Sequence, residues 1–315
     1  MQSIDAVVLR QAKAWCDQRE RPWLCTIVRA VGSSPRPVGS MLTCLDSGAI
    51  CGSLSGGCVE EDLVARLQSG KIDDSAPVII EYGVTPEQNE RLGLPCGGKL
   101  FVLVQRLQPR DREWLTTATV TLDKRLCVQR SLDIDSGETL LSAVGRFCEL
   151  SLEGSKLRQC FGPQMRMLLV GAGQLAQSLA ELALAMDYQV MVTDPRQSTL
   201  EQWRGPHVTL LQGMPDDIVR EHAADRHAIV ITLTHDPRID DMALMEALLT
   251  DAWYVGALGS LRTTEMRLQR LRDLQLPEAA LARLHAPVGL HIGSKTPVEI
   301  AVSIMAEITA LRRGA

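Results

Sequence analysis

The sequence predicts an α/β protein in which a smaller N-terminal domain of α/β or α+β type precedes a C-terminal Rossmann-like domain with a parallel sheet. Beyond about residue 163, short apolar runs alternate with helical patterns, as βαβ units require. The first of these runs leads directly into a glycine-rich turn of the kind that binds nucleotides.

Length, composition and charge set the broad class. At 315 residues the chain exceeds what one hydrophobic core usually organises, so more than one domain is expected. Hydrophobic residues make up 45% and charged residues 23%, which is typical of a soluble globular protein. The formal net charge of -5, without a long Lys/Arg run, argues against a nucleic-acid surface. We predict an N-terminal domain over 1–108, a β-rich connecting segment over 109–163 and a nucleotide-binding domain over 164–315.

The expected location is the cytoplasm. Charged residues interrupt positions 1–23, so no apolar core of signal-peptide type is present there. No segment is long enough to span a bilayer, so no membrane association is expected. Nine cysteines without an export signal indicate a reducing compartment in which thiols persist.

In the N-terminal part, alternating and turn-bounded patterns predict several strands and one helix. A strand is expected over 24–30, a hairpin from 41–45 and 49–54, and a helix from near Gly57. Further strands are predicted over 78–82, 100–105, 117–122, 126–130 and 147–152.

In the C-terminal part, the pattern predicts alternating strands and helices. The strands are expected over 165–170, 189–193, 207–211, 229–233 and 253–257, and two of the helices over 173–186 and 239–250. A last helix begins after Thr296, because Thr296 and Glu299 form a capping box and Pro297 suits the first helical position.

The glycine-rich turn is the strongest chemical signal. Gly171 permits a tight turn after the apolar strand, Gly173 allows close approach of a pyrophosphate beside Gln174, and Ala176 allows helix-to-strand packing. Asp194 ends the next predicted strand, where a carboxylate accepts hydrogen bonds from a ribose. Arg196 leaves open a phosphorylated ribose or another charged group, and an α/β domain that has lost its ligand is the structural alternative.

Two further loops follow predicted strands of the same domain. His235 and Asp236 follow residues 229–233, and Gly259 and Ser260 follow residues 253–257, at the edge where open α/β sheets bind ligands. For His235, a polar loop residue bonded to Asp236 is as reasonable an interpretation as a functional role.

The N-terminal domain contributes two cysteine-bearing glycine-rich loops. Gly56 and Gly57 precede Cys58 in a first helical turn, where the positive end of the helix dipole favours the thiolate. Glu60 follows in the same turn. Cys96 lies with Gly97 and Gly98 in a second loop. Small buried thiols are the structural alternative for both cysteines.

Taken together, these motifs resemble the family of xanthine dehydrogenase accessory factors, the XdhC/CoxI-like proteins. The resemblance runs through residues 32–36, 39–41, 52–60, 96–98, 167–176, 234–236, 256–262, 285–290 and 296–301. Such an ordered series of motifs is more specific than any one of them.

The resemblance implies a chaperone for the molybdenum cofactor rather than an enzyme. Such a protein binds the molybdopterin cofactor, or its cytosine dinucleotide form, supports its sulfuration by a cysteine desulfurase, and inserts it into an apo-enzyme of the xanthine dehydrogenase or aldehyde oxidase type. A cofactor nucleotidyltransferase is a further implied partner, and a homodimer is expected.

The resemblance also implies binding roles for the motif residues. The Rossmann loop residues, Asp194, Arg196 and the loops at His235 and Ser260 would hold the nucleotide end. The loops containing Cys58 and Cys96 would lie near the molybdenum. The competing interpretation is an NAD(P)-dependent oxidoreductase that uses the same Rossmann fingerprint, with His235 as its proton donor.

Overall fold

The computed structural model describes residues 3–32, 34, 36–85, 87–88, 90, 98–145 and 147–314. The chain divides into two compact units, residues 1–163 and 164–315. Each unit encloses its own clusters of buried apolar side chains.

The first unit contains a five-stranded antiparallel sheet in the order β3-β2-β1-β5-β4. Its strands are β1 (Trp23–Val31), β2 (Met41–Cys44), β3 (Ile50–Gly52), β4 (Val78–Tyr82) and β5 (Lys99–Arg106). Helix α1 spans Ser3–Asp17 and helix α2 spans Cys58–Gln68. The predicted hairpin is therefore confirmed, as is the helix that begins next to Gly57.

Side chains alternate across this sheet, and both of its faces are covered. Trp23, Cys25 and Ile27 pack with residues of α2 on one face, whereas Leu24 is buried on the other face with residues of α1. Alternate side chains of β1 therefore pack into two different cores, rather than into one core on one side and solvent on the other.

The remainder of the first unit combines a helix with a second antiparallel sheet. Helix α3 spans Asp111–Asp123, and the sheet has the order β7-β6-β9-β8. Its strands are β6 (Cys127–Asp133), β7 (Thr139–Val144), β8 (Ser151–Glu153) and β9 (Lys156–Phe161). The strand predicted over 147–152 is thus confined to β8, and the three-part division of the whole chain stays a prediction.

The strand predicted over 117–122 is wrong, because these residues belong to α3. The run of threonines favoured a strand, but buried Trp114, Ala118 and Leu122 recur at helical spacing. The Thr119 hydroxyl donates to the carbonyl of Leu115 at 2.9 Å, so a β-branched polar side chain satisfies its own hydrogen bonding within the helix. Packing of the apolar face overrides the local strand propensity.

The second unit is a doubly wound α/β domain, which confirms the predicted fold class. Its six parallel strands lie in the order β12-β11-β10-β13-β14-β15. They are β10 (Arg166–Val170), β11 (Gln189–Thr193), β12 (Thr209–Leu211), β13 (Ala228–Thr232), β14 (Tyr254–Ala257) and β15 (Leu284–His285). The direction of winding reverses between β10 and β13.

Helices cover both faces of this sheet. They are α4 (Gln174–Ala185), α5 (Gln197–Glu201), α6 (Pro215–His222), α7 (Pro237–Leu249), α8 (Leu261–Asp273), α9 (Glu278–Leu281) and α10 (Pro297–Arg313). Met167 and Leu169 of β10 pack with α4 and α10, whereas Leu168 and Val170 pack with α6 and α7. A strand buried on both faces explains why this segment is continuously apolar.

The last helix begins as predicted. The Thr296 hydroxyl accepts a hydrogen bond from the amide of Glu299 at 3.3 Å, and the Glu299 carboxylate accepts one from the amide of Thr296 at 2.9 Å. This reciprocal cap fixes the start of α10.

Candidate functional site

Four loops of the second unit meet at the carboxyl edge of its parallel sheet. They follow β10, β11, β13 and β14, and they contain most of the residues predicted to bind a ligand. The loops after β10 and β13 flank the point where the winding reverses, which is where open α/β sheets form a crevice for ligands.

Gly171 is required by the turn after β10. Its backbone has a φ of +106°, and a Cβ at this position would lie 2.7 Å from Cγ2 of Thr234. Its amide donates to the carbonyl of Thr193 at 2.7 Å. The turn therefore depends on glycine for its backbone conformation and for its close approach to the loop after β13.

The next residues leave the N-terminus of α4 accessible. Gly173 is the exposed capping residue, and a Cβ there would meet open space. Gln174 begins the helix and is also exposed, whereas Ala176 is fully buried against the sheet. An open helix N-terminus at a topological switch point suits a phosphate group.

Asp194 lies at the end of β11, as predicted, but its carboxylate is fully buried. The amide of Ala172 donates to Oδ2 at 3.3 Å, and the amide of Arg196 donates to Oδ1 at 3.0 Å. The guanidinium of Arg196 adds two bonds, from Nε to Oδ1 at 2.9 Å and from Nη2 to Oδ2 at 2.8 Å. The carboxylate is thus bound within its own loop, and the half-exposed guanidinium covers it.

The pair remains ionised over the physiological range. Burial alone would raise the pKa of Asp194, but the hydrogen bonds from Arg196 and Ala172 outweigh it and lower that pKa. The same hydrogen bond to Asp194 raises the pKa of Arg196. The group that this loop presents to solvent is therefore a cation.

The loop after β13 is held by a buried ion pair. The Thr234 hydroxyl donates to Oδ1 of Asp240 at 2.7 Å, and Nη2 of Arg267 donates to Oδ2 of Asp240 at 3.0 Å. Arg267 also donates from Nη1 to the carbonyl of Leu258 at 3.1 Å. One network therefore connects the loop after β13 with the loop after β14.

Burial of Asp240 affects its titration. Desolvation raises the pKa of Asp240 to about 6, against the opposing effect of the bonds from Thr234 and Arg267. The sequence showed no sign of this network, because Asp240 and Arg267 lie on separate helices without a shared motif.

The other predicted residues of this edge have defined roles. His235 is exposed, and the Asp236 carboxylate caps α7 by accepting the amide of Arg238 at 3.0 Å. The Arg238 guanidinium also bonds this carboxylate and lowers the pKa of Asp236 to about 2. Ser260 caps α8 by accepting the amide of Thr263, at 3.1 Å, next to half-buried Gly259. The Asp236 carboxylate therefore caps α7 and pairs with Arg238.

The first unit places its glycine-rich loop directly before α2. Oxygen Oε1 of buried Glu60 accepts hydrogen bonds at 2.8–2.9 Å, and Oε2 accepts the amide of Gly57 at 3.0 Å. The donors to the two oxygens are the amides of Leu54, Ser55, Gly56 and Gly57 and the hydroxyls of Ser53 and Ser55. Burial opposes ionisation, but hydrogen bonds from Ser55, Gly56 and Ser53 hold the pKa of Glu60 well below its usual range.

This loop presents Cys58 at its surface. Cys58 is the first residue of α2 and is exposed, next to exposed Gly56 and Gly57. The thiol is therefore available to a ligand, whereas the carboxylate of Glu60 is committed to its own loop. In the second predicted loop, Cys96 and Gly97 lie outside the described residues, and Gly98 is buried immediately before β5.

The run from His285 to Leu290 has a structural explanation. Nδ1 of His285 lies 2.9 Å from Oε1 of Glu307 on α10, and its ring stacks on Tyr254 with centroids 4.3 Å apart. The other Glu307 oxygen accepts the amide of Gly289, whose φ is +99°. These contacts fasten the edge strand β15 and the loop after it to α10.

Two features of other classes of protein are absent from the described residues. Among those residues, no group of three or more His, Cys, Asp or Glu side chains is arranged to hold a metal ion. No helix within the described ranges combines the length and apolarity needed to cross a membrane.

The fold and the arrangement of loops define a protein with a Rossmann-type domain whose loops lie at the switch point of its parallel sheet. The chain belongs to the XdhC and CoxI family. The family's model of the XdhC Rossmann domain matches residues 167–308, and its XdhC and CoxI model matches residues 15–83. The two matches together cover well over half of the chain.

Two relatives and one solved structure are similar to nearly the whole chain. A Bacillus subtilis protein that is named as a probable subunit of xanthine dehydrogenase is 28% identical, covering 95% of this chain and 96% of the relative. The Escherichia coli molybdenum cofactor insertion chaperone PaoD is 26% identical, covering 92% of this chain and 83% of that protein. A crystal structure described as a xanthine dehydrogenase from Bacillus halodurans has a TM-score of 0.74 at 24% identity, covering 97% and 96% of the two chains, and shows the same fold.

Proposed function

We propose that this protein is a chaperone that binds the molybdenum cofactor and inserts it into a molybdoenzyme of the xanthine dehydrogenase or aldehyde oxidase type. The observation that carries the proposal is the switch point of the second unit's sheet, with its open helix N-terminus at Gly173 and the exposed guanidinium of Arg196. Molybdopterin ends in a phosphate, and both features favour an anion. The PaoD relative, named for cofactor insertion, supports the assignment.

The cofactor is the cargo of such a protein, and the residues present suit it. The amides at the start of α4 and the Arg196 guanidinium would hold the phosphate end. In the first unit, the exposed thiol of Cys58 is a soft donor suited to molybdenum or to its sulfur ligand. Cys96 is proposed for the same role. Gly56, Gly57 and Glu60 would contribute by shaping the Cys58 loop, and Gly97 and Gly98 by their place next to Cys96.

The partners follow from this proposal. The apo-molybdoenzyme receives the cofactor, a cysteine desulfurase supplies the terminal sulfur while the cofactor is bound, and a nucleotidyltransferase delivers the dinucleotide form where that form is used. We place the protein in the cytoplasm, as a homodimer.

The alternative is an NAD(P)-dependent oxidoreductase built on the same Rossmann domain. The engagement of Asp194 counts against NAD, because a ribose diol needs the carboxylate oxygens that Arg196 and Ala172 already occupy. Exposed His235 remains as a proton donor, but Asp236 caps a helix and pairs with Arg238 instead of orienting it.

The test is direct. The full chain is purified from a host that makes molybdopterin, bound pterin is oxidised and measured by fluorescence, and the loaded protein is mixed with a molybdenum-free xanthine dehydrogenase-type enzyme. We expect retained pterin and recovery of enzyme activity. NAD(H) is titrated in parallel. Nicotinamide binding without retained pterin would replace the chaperone by the oxidoreductase.

A further inference from the structure

The loop after β11 differs from its counterpart in a dinucleotide-binding Rossmann domain. In such domains the carboxylate after the second strand accepts hydrogen bonds from a ribose diol. Here Asp194 occupies that position with a side chain that is 0% exposed, and its two oxygens accept four hydrogen bonds from Ala172 and Arg196. A carboxylate has about four acceptor positions, so these bonds leave no capacity for a diol.

The cation of the pair is the accessible member. The Arg196 side chain is 53% exposed, and two of its N–H groups are used on Asp194. A guanidinium has about five such donors, so three remain. The bidentate contact with Asp194 fixes the guanidinium plane in advance, which suits the planar fork to a phosphate.

This cation lies next to the glycine-rich turn. Oδ2 of Asp194 accepts both the amide of Ala172, between Gly171 and Gly173, and Nη2 of Arg196. The guanidinium and the start of α4 are therefore joined through one carboxylate oxygen. A single dianionic group at this corner can contact both the helix N-terminus and Arg196.

We propose that this corner is a subsite for a phosphate monoester and that it disfavours an unmodified ribose diol. Applied to the cargo, it selects the molybdopterin form that ends in a phosphate monoester over the cytosine dinucleotide form, whose ribose would need Asp194. The choice of cofactor form rests on the proposed function, whereas the phosphate subsite does not. The 2′-phosphate of NADP is the other source of the same chemistry.

The experiment analyses the ligand that the full chain retains in a host producing both cofactor forms. Pterin is measured by fluorescence after oxidation, and acid hydrolysis releases any nucleotide, which is counted against the pterin. NADP and NAD, which differ only in the 2′-phosphate, are titrated with the same protein. Variants are Arg196→Gln, Arg196→Lys, and the double variant Asp194→Asn with Arg196→Gln, which removes the buried charge together with its partner.

We expect the wild-type protein to retain pterin without nucleotide. The amount of retained pterin should fall about tenfold or more in both variants that carry Arg196→Gln, and less in Arg196→Lys. Arg220→Gln is the matched control, because Arg220 is 56% exposed and pairs with Glu246 on the surface of the same unit. It should retain pterin like the wild type. Thermal unfolding of each variant separates loss of the ligand from loss of the fold.

The outcomes distinguish the two proposals. If no pterin is retained but NADP binds at least about tenfold more tightly than NAD, and Arg196→Gln removes that preference, the subsite is supported and the chaperone function fails. One nucleotide per retained pterin would overturn the subsite, as would full pterin retention in both Gln-containing variants. Absence of pterin together with equal or absent binding of the two dinucleotides would overturn both proposals.

Discussion

The turns that precede helices α2 and α4 both place glycine next to the first helical residue, but their surroundings differ. The turn before α2 wraps four amides and two hydroxyls around the carboxylate of Glu60. At α4 the capping residue is Gly173, which is exposed and has open space beside it. The carboxylate of Glu60 takes up four amides of the first turn, whereas in the second turn Asp194 accepts the amide of Ala172 and the start of α4 at Gly173 is open to an anion from solution.

This comparison separates two uses of one local geometry. Backbone amides clustered ahead of a helix favour negative charge, whether it comes from the chain or from a ligand. In the first unit the charge serves structure, because it holds the loop that exposes Cys58. In the second unit the turn is available for binding, and Arg196 adds a cation beside it.

The largest expected effect on stability comes from replacing Glu60. Replacing Glu60 by Gln places an amide N–H against donors of the turn, so buried groups lose their acceptor. We expect a loss of about 3 kcal/mol in the free energy of unfolding, measured by denaturant titration. Glu61→Gln is the matched control, because Glu61 is exposed on the same helix and should change stability little. A loss for Glu60→Gln no greater than the control would show that the carboxylate does not organise the turn.

The same residue predicts a pH dependence. Since the pKa of Glu60 is lower in the folded chain than its usual value, the folded state gains stability above the usual pKa of a glutamate. That gain is lost as the pH falls toward the lowered pKa. The stability difference between wild type and Glu60→Gln should therefore be largest near neutral pH and shrink below about pH 4. A difference that stays constant from about pH 7 to about pH 3 would contradict this account.

The next effect concerns Gly171. Alanine at this position would adopt an unfavourable positive φ and bring its Cβ to 2.7 Å from the Thr234 methyl group. We expect a loss of about 2 kcal/mol in the unfolding free energy. Gly39→Ala is the control for the φ cost, because Gly39 has φ +94° with open space around it. Thr234→Ser removes the methyl group but keeps the hydroxyl that binds Asp240, so it should partly restore the unfolding free energy lost in Gly171→Ala. No recovery would show that the contact with the Thr234 methyl group is not the source of the loss.

Gly173 tests whether the second turn is the open one. Aspartate is a good helix cap, and the φ of -81° at Gly173 accommodates it, so Gly173→Asp should preserve or slightly raise stability. Its carboxylate would, however, occupy the anion position and lower pterin retention by about tenfold or more. Gly173→Ala is the neutral control. Unchanged retention in Gly173→Asp would mean that the phosphate lies elsewhere.

The sequence predicted the positions of the second turn better than the partners of its residues. The GxGxxA pattern after an apolar strand located Gly171, Gly173 and Ala176 correctly, because close packing there leaves few alternatives. It also placed Asp194 at a strand end. The sequence could not show that Arg196 would take up both carboxylate oxygens, since that depends on side-chain conformations rather than on spacing.

The same limit applies to contacts between distant segments. Asp240 and Arg267 are buried and paired across two helices, and no local pattern marks such a pair. The helix over 111–123 was missed for a related reason, because its threonine run favours a strand until Trp114 and Leu122 find a core. Local propensity predicted the secondary structure correctly only where tertiary packing favoured the same structure.

The smallest expected effect on stability comes from replacing Cys58. The same replacement tests whether the first turn takes part in binding the cofactor. The thiol is exposed and the turn is held by Glu60, so Cys58→Ala should change the unfolding free energy by less than about 0.5 kcal/mol. If the thiol contacts the molybdenum end, the same variant should nevertheless lose activation of the client enzyme in the transfer assay. Cys51→Ala, a half-buried cysteine of the same unit, is the control. Equal activation of the client enzyme by both variants would show that the Cys58 thiol takes no part in cofactor transfer. The turn held by Glu60 would then have a structural role only.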